Sequence, residues 1–144
     1  MISIGVSGGI GSGKSVICKI LEHLAYPVFY SDKEAKVNMI ENLELISGIT
    51  SLFGKESYID KNLNRSYIAS QIFKDPNLKN QLNSLVHPTV FQTYEKWKRE
   101  QNSEIVFYES ALLGPFKIGG AAVVQFHKDV GVIDRSQRAL IVDF

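Results

Sequence analysis

The sequence predicts an α/β fold, a parallel β-sheet flanked by helices. Three observations carry the prediction. Short β-prone runs recur along the chain, stretches with helical periodicity separate them, and a glycine-rich octapeptide joins the first run to the first helix. Strands that alternate with helices pair in parallel through right-handed crossovers.

Taken in order, Ile2, Ile4 and Val6 form the first strand. Val16, Ile17, Ile20, Leu21 and Leu24 follow at the spacing of an amphipathic helix. Residues Pro27 to Tyr30 read as a second strand, and a helix is expected from about Asp32 toward Ile46. Gly54 and the segment Lys55 to Arg65 read as turn or loop, after which Ile68, Ala69, Ile72 and Phe73 resume helical spacing. Asp75-Pro76 has the form of an N-cap with proline at the first helical position. The pattern then continues through Leu78, Leu82, Leu85, Val86, Val90, Tyr94 and Trp97, with a break or bend expected at His87-Pro88. Ile105 to Tyr108 is a buried-type strand. Gly114-Pro115 breaks the chain, and 119–122 reads as weakly structured. Val130 to Ile133 is the expected fourth strand, and Ala139 to Val142 a further strand or a helix fragment.

At 144 residues and 44% hydrophobic, the chain is expected to form one domain, 1–144, with its own core. Sixteen basic against fifteen acidic residues leave a net charge of +1, with no basic stripe to suggest a nucleic-acid partner. There is no signal-peptide pattern and no apolar run of transmembrane length, so no membrane partner and a cytoplasmic location are expected. The one cysteine, Cys18, excludes an internal disulfide and reads as a buried structural thiol on the first helix. Oligomeric state is not legible.

The octapeptide Gly8-Gly9-Ile10-Gly11-Ser12-Gly13-Lys14-Ser15 matches the G-x-x-x-x-G-K-[ST] phosphate-binding loop. Its glycines allow positive φ and turn backbone N–H groups inward, and the following helix adds its N-terminus, an anion site suited to a nucleotide phosphate. Lys14 would bring a charge to the β- and γ-phosphates, and the Ser15 hydroxyl would hold Mg²⁺. Strand, glycine loop and helix follow one another as that chemistry requires.

Other candidates lie outside the loop. Asp32, at the end of the second strand, could accept a hydroxyl proton or cap the following helix. Glu109, at the end of an apolar strand, could hold Mg²⁺ or be a strand-end charge. Arg65 could pair with a phosphate or with an acidic neighbour. His87, before a proline, reads equally as a catalytic or as a capping or core histidine.

The loop occurs together with Tyr30-Ser31-Asp32, Leu63-Asn64-Arg65, Ile72-Phe73, Leu85-Val86-His87-Pro88 and Glu109-Ser110-Ala111-Leu112-Leu113. In combination these resemble the dephospho-coenzyme A kinase family over about residues 1–113. The resemblance implies a P-loop kinase fold and transfer of the ATP γ-phosphoryl group to the ribose 3′-hydroxyl of dephospho-coenzyme A. It implies that Gly8, Gly9, Gly11, Ser12, Gly13, Lys14, Ser15 and Val16 hold ATP, with Lys14 and Asp32 catalytic. Asp32, Arg65 and His87 would bind the acceptor, within a helical region at about 33–101, and Ser15 and Glu109 would hold Mg²⁺. Glu109 stands where most members have aspartate.

The chain departs from the family pattern at Lys36, where many members have arginine, and at Gly114-Pro115, where a Phe-Glu pair is usual. Members also run longer, so the C-terminal lid and last helix are expected to be missing, and Arg135 and Arg138 do not match the lid motif. The alternatives are an ATP-binding truncated relative with little or no kinase activity, and another small-molecule P-loop kinase.

Overall fold

The structure, a computed structural model, describes residues 1–8, 11–111, 122–126 and 139–141. Two compact units divide the chain, one made of Met1–Asp32 with Trp97–Phe144, the other of Lys33–Lys96.

The first unit is built on a five-stranded parallel sheet. Its strands are β1 (Ile2–Gly8), β2 (Val28–Tyr30), β5 (Ile105–Ser110), β6 (Ala122–Phe126) and β7 (Ala139–Ile141), in the spatial order β2-β5-β1-β6-β7. The short strands β3 (Tyr58–Ile59) and β4 (Asn62–Leu63) belong to the second unit. β1 is therefore central, with β5 in register on one side (Val6 opposite Glu109) and β6 on the other (Val6 opposite Val124). The next strand in sequence, β2, lies beyond β5, with Tyr30 opposite Glu109.

Strand alternation gives the sheet two different faces. One carries Val6, Val28, Tyr30 and Phe107 and packs on Cys18, Ile17 and Leu21 of α1 (Lys14–His23). The other buries Phe29 and Tyr108, stacked with ring centroids 5.4 Å apart, and Phe29 also meets Trp97 at 5.3 Å. α1 ends in a Schellman arrangement: Tyr26 N–H donates to Leu21 and Ala25 N–H to Glu22, with Ala25 at φ 63° where glycine is usual.

In the second unit the single helix expected from Asp32 to Ile46 is two, α2 (Ser31–Glu41) and α3 (Leu43–Phe53). Asn42 separates them, because its side chain accepts from Leu45 N–H at 3.0 Å and caps α3. The segment read as a loop, 55–65, holds a 3₁₀ turn at Lys55–Ser57 and the β3–β4 hairpin, which turns through Asp60 and Lys61 at φ 47° and 66°. Two-residue strands are too short to leave a periodicity, and neither turn residue is the glycine that usually marks such a hairpin.

Helix α4 (Arg65–Lys74) follows a cap by Asn64 on Tyr67 N–H, and α5 spans Asn77–Arg99 after Asp75 accepts from Asn77 N–H. Of the break or bend expected at His87-Pro88, the break does not occur: α5 runs through Pro88. Buried Val86, Val90 and Tyr94, on successive turns of one face, hold it by packing, which outweighs the hydrogen bond that proline removes.

A strand of the parallel sheet lies at 122–126; the expected strand at Val130 to Ile133 lies outside the described residues, along with Gly114-Pro115 and 119–121. Glycines immediately upstream disguise the β-branched Val123-Val124 pair as a weak segment. The 139–142 stretch is a strand at 139–141, paired in parallel with β6. Among the described residues no helix is long and apolar enough to cross a membrane.

Candidate nucleotide-binding site

All five strands of the large sheet point the same way, so their C-terminal ends share one edge. The chain from β1 leads to β2 and β5 on one side, whereas β6 lies on the other. The strand order reverses at β1, the usual ligand position in such sheets. The glycine loop leaves β1 at that point.

Gly11 and Gly13 adopt φ 78° and 90°, a region an L side chain enters at a cost of roughly 1–2 kcal/mol. Gly13 is also the N-cap of α1, with no side-chain cap, so the first turn keeps donors for an anion. Gly9 lies outside the described residues. Lys14, the first residue of α1, turns back and donates to the Gly8 carbonyl at 2.7 Å, a bond that spans the loop. Ser15 is exposed on the first turn. Val16 is 61% exposed on the first turn, and its N–H is engaged with Gly13 O at 3.0 Å.

Three charged groups meet at this edge. Asp32 is the second residue of α2 and exposed, so it stands inside the first helical turn rather than at the cap position. Glu109, half-buried near the end of β5, has its carboxyl pushed above the usual range. Burial is the larger cause and the Asp32 charge the second, while Lys14 pulls the other way. Sheet order brings these residues together from positions 14, 32 and 109.

A hydroxyl and a carboxylate are hard oxygen donors. A Mg²⁺ site that takes one or two protein oxygens and fills the rest with phosphate and water fits Ser15 and Glu109. Among the described residues no group of three or more His, Cys, Asp or Glu side chains is placed to hold a metal by itself. Arg65, exposed at the start of α4, and His87, half-buried on α5, both belong to the second unit.

Beneath the edge lie contacts that no motif advertised. Cys18 is fully buried, and burial followed by the charges of Glu109 and Glu22 pushes its thiol up to about 11. The Tyr30 hydroxyl is hydrogen-bonded to Glu22. Burial first, then that bond, raises it to about 12. The sequence signals are the Tyr30-Ser31-Asp32 run and the place of Cys18 on the first helix, not the apolar spacing of α1, whose Val16, Ile20 and Leu24 are exposed.

The fold and this edge together define a P-loop protein of the parallel α/β type. The comparisons narrow the class. The dephospho-CoA kinase family model matches residues 2–133, and the chain belongs to that family. It is 42% identical over 124 residues to the dephospho-CoA kinase of Salinibacter ruber, covering 83% of this chain and 61% of that protein. With the dephospho-CoA kinase of Chlorobium luteolum it shares 37% over 131 residues, covering 85% and 59%. Among solved structures, TT1252 from Thermus thermophilus superposes with a TM-score of 0.72 at 29% identity, covering 87% of this chain and 64% of that one. Dephospho-CoA kinase from Campylobacter jejuni superposes at 0.63 with 20% identity over the same shares, a likeness of fold. The chain spans about three fifths of the length of the curated relatives it matches.

Proposed function

We propose that the chain catalyses ATP-dependent phosphorylation of the ribose 3′-hydroxyl of dephospho-coenzyme A, the last step of coenzyme A synthesis. The observation that carries the reading is the convergence of the loop, Asp32 and Glu109 at the switch point of the sheet. Membership of the dephospho-CoA kinase family favours it over another small-molecule P-loop kinase.

In this reading the loop N–H groups and the N-terminus of α1 cradle the β-phosphate of ATP. Lys14 exchanges the Gly8 carbonyl for a phosphate oxygen. Asp32 orients the acceptor hydroxyl and takes its proton as the oxygen attacks the γ-phosphorus. The bond from that phosphorus to the β–γ bridging oxygen then breaks and ADP leaves. Glu109 and Ser15 would hold Mg²⁺, which would neutralise phosphate charge. The Lys33–Lys96 unit, with Arg65 and His87, binds the acceptor, and a cytoplasmic location accompanies the reading.

A coupled assay of ADP release with dephospho-coenzyme A, beside titration of Mg-ATP binding, tests this. Turnover dependent on the acceptor supports it. Tight ATP binding with no acceptor-dependent ADP release would instead favour a nucleotide-binding relative without kinase activity.

A further inference from the structure

Strand β2 leads directly to Asp32, yet its own pairing holds it weakly. It has three residues, Val28–Tyr30, and among the described residues it stands at the edge of the sheet with β5 as its one neighbour. An edge strand of that length has few ladder bonds to fix where its end points. A side chain supplies what the ladder lacks. Tyr30, the last residue of β2, packs against the cluster of Val6 and Cys18, and its hydroxyl donates to Glu22. Glu22 is the last residue but one of α1, the helix that begins with Lys14. Its main chain is itself fixed, because the Glu22 carbonyl accepts Ala25 N–H in the turn that closes the helix. A carboxylate there faces the unfavourable end of the helix dipole, so Glu22 gains nothing from α1 and gains from a hydroxyl partner.

We propose that Glu22 and Tyr30 are positioning residues for phosphoryl transfer: their hydrogen bond fixes the end of β2, and with it Asp32, relative to the helix that carries Lys14. This rests on the reading that Asp32 acts on the acceptor hydroxyl. Only the buried Ser31 separates Tyr30 from Asp32, so an anchor at Tyr30 is an anchor for the carboxylate. The phosphate side of the site is set by the start of α1 and the acceptor side by where β2 ends. The Glu22–Tyr30 bond links those two elements through side chains. Phosphoryl transfer depends on holding nucleophile and phosphate in line, and a misplacement of about 1 Å can cost about 100-fold in rate. Tyr30 also stands opposite Glu109 in the β2–β5 register, so action through Glu109 is the competing explanation.

The experiment compares the parent chain with Tyr30→Phe, Glu22→Ala and Glu22→Gln. It reads kcat in the coupled ADP-release assay with dephospho-coenzyme A, Mg-ATP affinity by calorimetry, and hydrogen exchange of the segment 28–32. Tyr30→Phe and Glu22→Ala should each lower kcat about 10-fold and leave ATP affinity unchanged. Each should also speed exchange of the segment about 10-fold, the loss of one hydrogen bond to a charged group. Glu22→Gln keeps an acceptor for the hydroxyl and should retain most of the parental kcat. In an Asp32→Asn background Tyr30→Phe should cost nothing further, because the anchor acts through Asp32. Unchanged kcat or unchanged exchange in Tyr30→Phe overturns the proposal. So does an equal fall when Asp32 is already Asn, which would place the action at Glu109, and so does a parallel loss of ATP affinity, which would make the bond a support of the loop. Failure of the underlying reading shows separately, in the parent. No acceptor-dependent ADP release refutes the kinase assignment, and an unchanged rate in Asp32→Asn alone refutes the role of Asp32; either result removes the positioning role with it.

Discussion

Lys14→Met removes the loop's charge while nearly preserving side-chain length, and its effect follows from where Lys14 sits. The ammonium donates to Gly8 O at 2.7 Å, at the short end of the range for charge-assisted bonds. A phosphate therefore competes with an existing partner, and the gain on binding is a difference. A hydrogen bond to a charged group contributes about 1.5–3 kcal/mol, which would be about 10- to 150-fold in affinity. Surrender of the carbonyl bond returns part of that, so the lower end applies: ATP affinity should fall about 10- to 50-fold. Adenosine, which presents no phosphate, should bind the variant as it binds the parent. Titration calorimetry with Mg²⁺ measures both ligands, and melting without ligand checks that the loop survives loss of its bond to Gly8. Equal ATP affinity in the two proteins would refute the assignment. A parallel loss of adenosine binding would show that Lys14 holds the loop together rather than reaching phosphate.

Three further outcomes follow from the same geometry. Asp32→Asn should lower phosphotransfer by about 10²–10⁴ with little change in melting temperature. Relief of repulsion with Glu109 offsets the weaker interaction with the start of α2. A large loss of stability with an unchanged rate per folded molecule would make the residue structural. Ala25→Gly should stabilise by about 0.5–1 kcal/mol in urea denaturation, because relief of the left-handed penalty at φ 63° exceeds the added freedom of glycine in the unfolded chain. A loss of stability there would mean that the alanine methyl packs. Cys18 should resist thiol reagents at pH 8 until the protein unfolds. Because its folded value lies near 11 against 9.0 unfolded, the stability it contributes is complete below pH 9 and lost as pH rises toward 11. A Cys18→Ala variant whose stability falls as steeply as the parent's over that window would contradict the assignment.

The sequence by itself determined the parts of this protein whose information is local. The strand, glycine loop and helix at 2–23 are one continuous stretch. Positive φ at Gly11 and Gly13 is a property those residues carry anywhere, whereas the apolar spacing of α1 does not name its buried face, since Val16, Ile20 and Leu24 are exposed while Cys18 is buried with Ile17 and Leu21. Local chemistry was also present but harder to weigh where Asn42 divides α2 from α3. A capping side chain there interrupts a stretch that hydrophobic spacing alone joins. Tertiary structure decided what depends on distant partners. Pro88 stays inside α5 because Val86, Val90 and Tyr94 are buried, and 122–126 is a strand because β1 and β7 pair with it. The order β2-β5-β1-β6-β7 is what brings Lys14, Asp32 and Glu109 into one another's fields. A side chain's spacing along its own element reports which residues share its face. Its electrostatic neighbours come from strands far away in sequence, and only the packed sheet chooses those.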